Sequence, residues 1–135
     1  ANLDRIQMVK GWMDQGELRE RVFDVALSNG REIGEDGQVL EVGNTVDIQS
    51  ATYANTIGAS ELDALWIDRH FDPEQQAFYY ARVLEIPTPR WTTHDAAAFE
   101  ISPPNHVPMT VQQRVYSSPI WYEPPKVGAG SGCRG

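Results

Sequence analysis

One cysteine, three histidines and a shortage of basic residues remove several kinds of chemistry from this chain at the outset. Cys133 alone can form neither an internal disulfide nor a cysteine-based zinc site. A chain without disulfides is compatible with either side of a membrane, so the redox compartment stays open. Eleven Lys+Arg stand against nineteen Asp+Glu, a formal net charge of -8, and there is no basic run. Such a surface repels phosphate backbones, and nucleic acid is not an expected partner. No apolar run nears transmembrane length, and no signal-peptide pattern is present. Phosphate-cradling glycine loops are absent, because the glycines are dispersed in turns. Gly58-Ala59-Ser60 is not a nucleophile elbow, and Ser117-Ser118 runs into Pro119 as a turn.

What is present is strand-like alternation. Over Ile6, Met8 and Trp12 apolar residues share one face, and Arg21, Phe23, Val25 and Leu27 alternate with Glu20, Val22, Asp24 and Ala26. The Gly-containing turn Asp14 to Glu17 between these runs predicts an antiparallel hairpin. Residues 28–44 hold two turn dipeptides, Asn29-Gly30 and Asp36-Gly37, and read as a long loop. A further strand is expected over Thr45–Thr56, and Ser60–Asp68 is read as another from the alternation of Leu62, Ala64 and Trp66, although Leu62, Leu65 and Trp66 also fit a helix. Ala77 to Ile86 is the strongest strand. Phe78, Tyr80, Arg82, Leu84 and Ile86 lie on one face and Ala77, Tyr79, Ala81, Val83 and Glu85 on the other. Apolar residues on both faces predict a central strand, ended by Pro87 and Pro89. Thr92 followed by Asp95 and three alanines predicts a short helix near 92–100. A last strand over Val111–Pro124 is expected to break at Pro119. With about five to seven strands and one helix, the expected fold is mainly β, an antiparallel β-sandwich-like module. It fills residues 1–124 as one domain, with a flexible Gly/Ser-rich tail over 125–135.

His70, His94 and His106 form no recognisable ligand set, and no metal ligands or catalytic residues are assigned. Four tryptophans and five tyrosines are many for this length. Trp12 and Trp66 alternate with strand apolars and are expected in the core. Arg90 and Trp91, just past a strand end, have two readings: an exposed pair for an anion or a sugar, or an arginine stacked on a tryptophan to seal a corner. Arg82, Arg90, Trp91, Tyr79, His94 and Asp95 are the candidate ligand- or interface-lining residues.

Several phrases in this order carry a family likeness: LDRIQMVKGW, VFDVALS, VGNTVDI, FDPEQQAFYYARVLEIPTPRWTTHDA and VYSSPIWYEP. From about Leu3 to Pro124 the chain resembles the C-terminal portion of the bacterial domain-of-unknown-function family 3604, outside the loop 31–41. That family is similar to metal-dependent hydrolases of the polymerase-and-histidinol-phosphatase (PHP) type. The resemblance implies a hydrolase whose divalent metal sits in an upstream region opening with a His-x-His motif. No His-x-His occurs here, and no ligand is carried over. The chain opens at Ala1 in near-alternating sequence, as expected of a piece of a longer protein, and a periplasmic or secreted parent is compatible with it. The implied role is an accessory β module, inactive alone and holding no cofactor, with the upstream catalytic domain as partner. The alternatives are a small anion- or carbohydrate-binding module, or a structural module that self-associates through an exposed edge.

Overall fold

The computed structural model describes residues 1–103 and 105–125. In chain order they form β1 (Leu3–Asp14), β2 (Glu17–Leu27), β3 (Ala77–Glu85), β4 (Thr88–Pro89), α1 (Trp91–Phe99), β5 (Thr110–Val111), β6 (Arg114–Tyr116) and β7 (Ile120–Tyr122). Of the tail expected over 125–135, all but Pro125 lies outside the described residues.

The first hairpin follows from its turn. Gln15 and Gly16 both adopt positive φ, 51° and 84°, between the paired ends Asp14 and Glu17. Two left-handed residues make the turn whose twist matches that of the flanking strands, and glycine takes its position without a Cβ penalty. β3 then lies antiparallel to β1, with Met8 opposite Ala81 and Trp12 opposite Ala77. The outer edge of β3 is divided. Val115 in β6 stands opposite Val83, and Trp121 in β7 stands opposite Phe78. Pro119 lies between these two short strands and cannot donate to a ladder, which is why one strand has become two. The order β2-β1-β3-β6, with β7 also on β3, makes β3 central, as its apolar faces required. A two-stranded sheet, β4 with β5, completes a mainly β, sandwich-like fold of antiparallel sheets with one short helix.

The expected strands at Thr45–Thr56 and Ser60–Asp68 do not form. In the first, only the bridge between Asp47 and Thr52 survives. The Asp47 carboxylate accepts from the Gln49 N–H at 2.9 Å and the Ser50 hydroxyl at 2.8 Å, so a side chain captures the backbone into a turn. These bonds hold the exposed Asp47 carboxyl below its usual range, the Ser50 hydroxyl contributing most. In the second segment the alternation is real but unpaired. Trp66 tucks inward while Leu65 and Ile67 point out, 93% and 72% exposed. Period two describes any extended chain, paired or not.

Two details of the strand-to-helix passage also differ from expectation. Pro89 does not merely stop a strand; it sits in β4 opposite Thr110. The helix begins one residue early, its cap is Arg90 in extended conformation, and no side chain caps it. Thr92 is inside the helix. Thr93 is fully buried, its hydroxyl donating to the Met109 carbonyl. Glu100, left-handed at φ 53°, closes the helix with its N–H on the Ala96 carbonyl.

The core is anchored by Val9 and Ile86, both with no exposed surface. Beside Ile86 the chain crosses at Gly58, where φ is +75°. A Cβ there would meet Ile86 Cγ2 at 2.6 Å and the Leu3 carbonyl at 2.9 Å. Neither the handedness nor the space admits a side chain. Gly58→Ala is expected to lower stability by roughly 2–4 kcal/mol, read as a shifted urea midpoint at unchanged slope.

Candidate functional site

β3 carries two opposite kinds of surface, and parity separates them. Tyr79 faces the loop 60–71, which covers the sheet. There its hydroxyl donates to Asp68 Oδ2 at 2.9 Å, and Lys10 Nζ donates to the same oxygen at 2.6 Å and to the His70 carbonyl at 3.0 Å. The His70 N–H donates to Asp68 Oδ1 at 2.9 Å. Lys10 and Asp68 are both buried, and the Lys10 ammonium lies 5.4 Å from the Trp12 ring centre and 5.8 Å from that of Tyr79. Trp66 packs between Phe23 and Tyr79, at centroid distances of 5.1 and 6.1 Å. Burial pushes the Asp68 carboxyl upward, but the hydrogen bonds from Lys10, the His70 N–H and Tyr79, together with the Lys10 charge, outweigh it and hold it below its ordinary value. Burial, followed by the hydrogen bond and charge of Asp68, pushes the Tyr79 phenol well above its ordinary range. A carboxylate that stays ionised and a phenol that stays neutral exchange no proton near neutral pH. This cluster is a clamp holding the covering loop to the sheet.

Arg82, three positions along, faces the other way. Its Nε donates to Gln7 Oε1 at 2.8 Å. Gln7 Nε2 donates to Asp24 Oδ1 at 2.9 Å, and Arg5 donates to the same atom at 3.4 Å. Three strands therefore fix one edge of the Arg82 guanidinium, and no partner among the described residues takes its Nη atoms. Tyr116 is its register neighbour.

At the end of β1 a second buried network closes. Asp4, 2% exposed, receives Arg31 Nη2 on Oδ1 at 2.5 Å, with Arg5 Nε at 3.2 Å and Gln112 Nε2 at 3.0 Å on Oδ2. Arg31 also donates to the carbonyls of Asp4, Ser28 and Leu40. Thus one arginine pins the start of loop 28–44 to the sheet.

The remaining candidates do not converge with Arg82. Arg90 is partly exposed and Trp91 is exposed, with no bond between them, so this pair does not seal a corner through buried, satisfied contacts. Asp95 and Trp91 line a shallow apolar hollow with Ile101 and Val107, whereas His94 faces a different one beside Glu85 and Tyr53. Adjacent helix residues point in different directions, and the structure separates them accordingly. Lys10, Asp68, Asp4 and Arg31 were not singled out from the sequence. The available signal was Lys10 itself, a lysine on the inward parity of Met8 and Trp12.

Among the described residues no group of three His, Cys, Asp or Glu side chains could hold a metal. No helix among them is long and apolar enough to cross a membrane. Residues 1–124 match the model of a family described as a protein of unknown function, DUF3604. No curated protein and no solved structure matches the chain.

Proposed function

The chain belongs to the DUF3604 family, and from that premise we propose that it is an accessory β module, the C-terminal portion of a PHP-type metal-dependent hydrolase and not catalytic alone. One observation carries the accessory role. Among the described residues the buried hydrophobics are Val9, Val42, Ala51, Ala77, Ile86 and Ala96, half of them alanine. Against this small core stand large exposed side chains that include Leu65, Ile67, Trp91, Phe99 and Ile101. Leu65 and Ile67 flank one hollow and Trp91 and Ile101 another, and apolar side chains grouped in this way favour covered surfaces over free ones. The PHP relation rests on the sequence resemblance. The divalent metal it implies does not fit the described residues, and its place is the upstream catalytic domain.

The reading has a direct test. The isolated chain, loaded with manganese or zinc, is expected to hydrolyse neither phosphomonoesters nor phosphodiesters. Turnover with a stoichiometric metal would overturn it. Leu65→Ser with Ile67→Ser should change the stability of the isolated chain by no more than about 0.5 kcal/mol, since both side chains are exposed. The same double substitution should weaken association with the catalytic domain in a pull-down. If association is unchanged, the covering loop is not the docked surface.

A further inference from the structure

The geometry points to a binding site for a carboxylate-bearing oligosaccharide on the open face of the sheet, along Trp121, Phe78, Tyr80 and Tyr116 and ending at Arg82 and Arg114. The inference is independent of the proposed parentage. The four rings follow one another at centroid distances of 5.2, 6.4 and 6.1 Å. Phe78 and Tyr80 are nearly parallel, 6° apart, while Trp121 and Tyr116 are tilted by 47° and 50°. Each step is on the scale of one pyranose unit. The strip exists because the last strand breaks at Pro119, so Tyr116 and Trp121 flank the β3 rings from two separate strands. Gly11 supplies the floor: the Phe78 ring lies where its Cβ would be, 2.2 Å from Phe78 Cζ. Beyond Trp121 a hollow of about 340 Å³, bordered by Gly11, Met13 and Leu18, extends the strip.

The contrast between the two faces argues for a ligand rather than spare surface. On the covered face the hydroxyls of Tyr79 and Tyr122 are bonded, to Asp68 and to the Pro73 carbonyl. On the open face neither Tyr80 nor Tyr116 has a hydroxyl partner among the described residues. The ammonium of Lys10 is held by Asp68 and the His70 carbonyl behind the sheet, whereas Arg82 presents Nη donors on a guanidinium that Gln7 has already oriented. Arg114 is opposite Leu84, one row beyond the pair Arg82–Tyr116, which places the two arginines diagonally at a backbone spacing of roughly 7–8 Å. In a chain of net charge -8, two arginines whose Nη atoms have no partner among the described residues, at one end of an aromatic strip, select for an anion there. Aromatic faces take the C–H faces of a sugar, phenolic hydroxyls take its hydroxyls, and the arginines take its carboxylates. A docking polypeptide of apolar character would use the rings but leave both guanidinium groups and both phenols unmatched.

Titration of the chain with tetragalacturonate, followed by tryptophan fluorescence and calorimetry, tests this. Saturable binding is expected, and a neutral glucan tetramer should bind at least about tenfold more weakly, on the scale of one lost charged hydrogen bond. Trp121→Ala and Arg114→Gln, both at exposed positions, should each weaken tetragalacturonate about tenfold. Arg82→Gln should weaken it as well, and Trp91→Phe should leave affinity unaltered. Failure of the wild-type chain to saturate, equal affinity for the neutral tetramer, or indifference to both arginine substitutions each overturns the proposal.

Discussion

Asp68→Asn is expected to lower the stability of this chain by about 3–5 kcal/mol, because it leaves the Lys10 ammonium buried without a counter-charge. Both side chains are more than nine-tenths buried. Asparagine keeps the shape and one acceptor but removes the charge, so the loss is electrostatic rather than steric. Urea unfolding of the variant reads it directly. The double substitution Lys10→Met with Asp68→Leu should recover most of the loss, since a buried pair replaced by apolar groups costs little. If the double variant is as unstable as the single, the clamp acts through its hydrogen bonds to the His70 backbone instead. The pH dependence has a definite sign. The folded-state carboxyl of Asp68 is held below its ordinary value. Its contribution is therefore complete above the unfolded value of about 3.9 and is lost as pH falls through the lower folded one. The wild-type chain should thus lose stability on acidification in that window, and Asp68→Asn should flatten this part of the profile.

The second large effect is expected at Arg31. Arg31→Met keeps the aliphatic stem and removes every donor, leaving Asp4 with Arg5 and Gln112. It also removes the side-chain bonds that Arg31 makes to the Ser28 and Leu40 carbonyls. Because Arg5 still pairs with Asp4, the cost is that of the lost charged hydrogen bonds, about 2–3 kcal/mol, rather than that of an uncompensated charge. Local release should accompany it: amide exchange over residues 28–44 should accelerate more than exchange in β1 or β3. Uniform acceleration across the chain would mean that Arg31 supports the whole fold rather than this loop.

The parts of the fold legible in the sequence are those whose cause is local. Gln15-Gly16 between alternating runs set the hairpin, because the turn geometry depends on two residues only. Apolar residues on both parities of Ala77–Glu85 marked a central strand, and Pro119 marked the break in the last one. Three alanines after Thr92 and Asp95 were enough for a short helix, although its cap was misplaced: the helix starts at Trp91 and the Thr92 hydroxyl lies inside it, turned to the Pro108 carbonyl. The segments 45–56 and 60–68 misled for the opposite reason. Extended, alternating residues become a strand only when a neighbour pairs with them, and here Asp47 and the Trp66 pocket took those residues first.

The candidate site shows the same division. Arg82 and Tyr79 were named together, and their opposite parity was already written in β3. What each face does was not. Lys10 meets Asp68 across 58 positions, and Arg82 meets Gln7 across 75. Arg90, Trp91, His94 and Asp95, adjacent in sequence, spread over separate surfaces. By itself the sequence determined the family, the mainly β class, the hairpin, the central strand and the two-sidedness of that strand. Only the tertiary structure decided which side is closed, because a strand presents side chains alternately to both faces and cannot specify what will cover either. The covering loop came down over Tyr79, where Lys10 and Asp68 neutralise each other. It left the rings of Phe78 and Tyr80, and the arginine beside them, facing out.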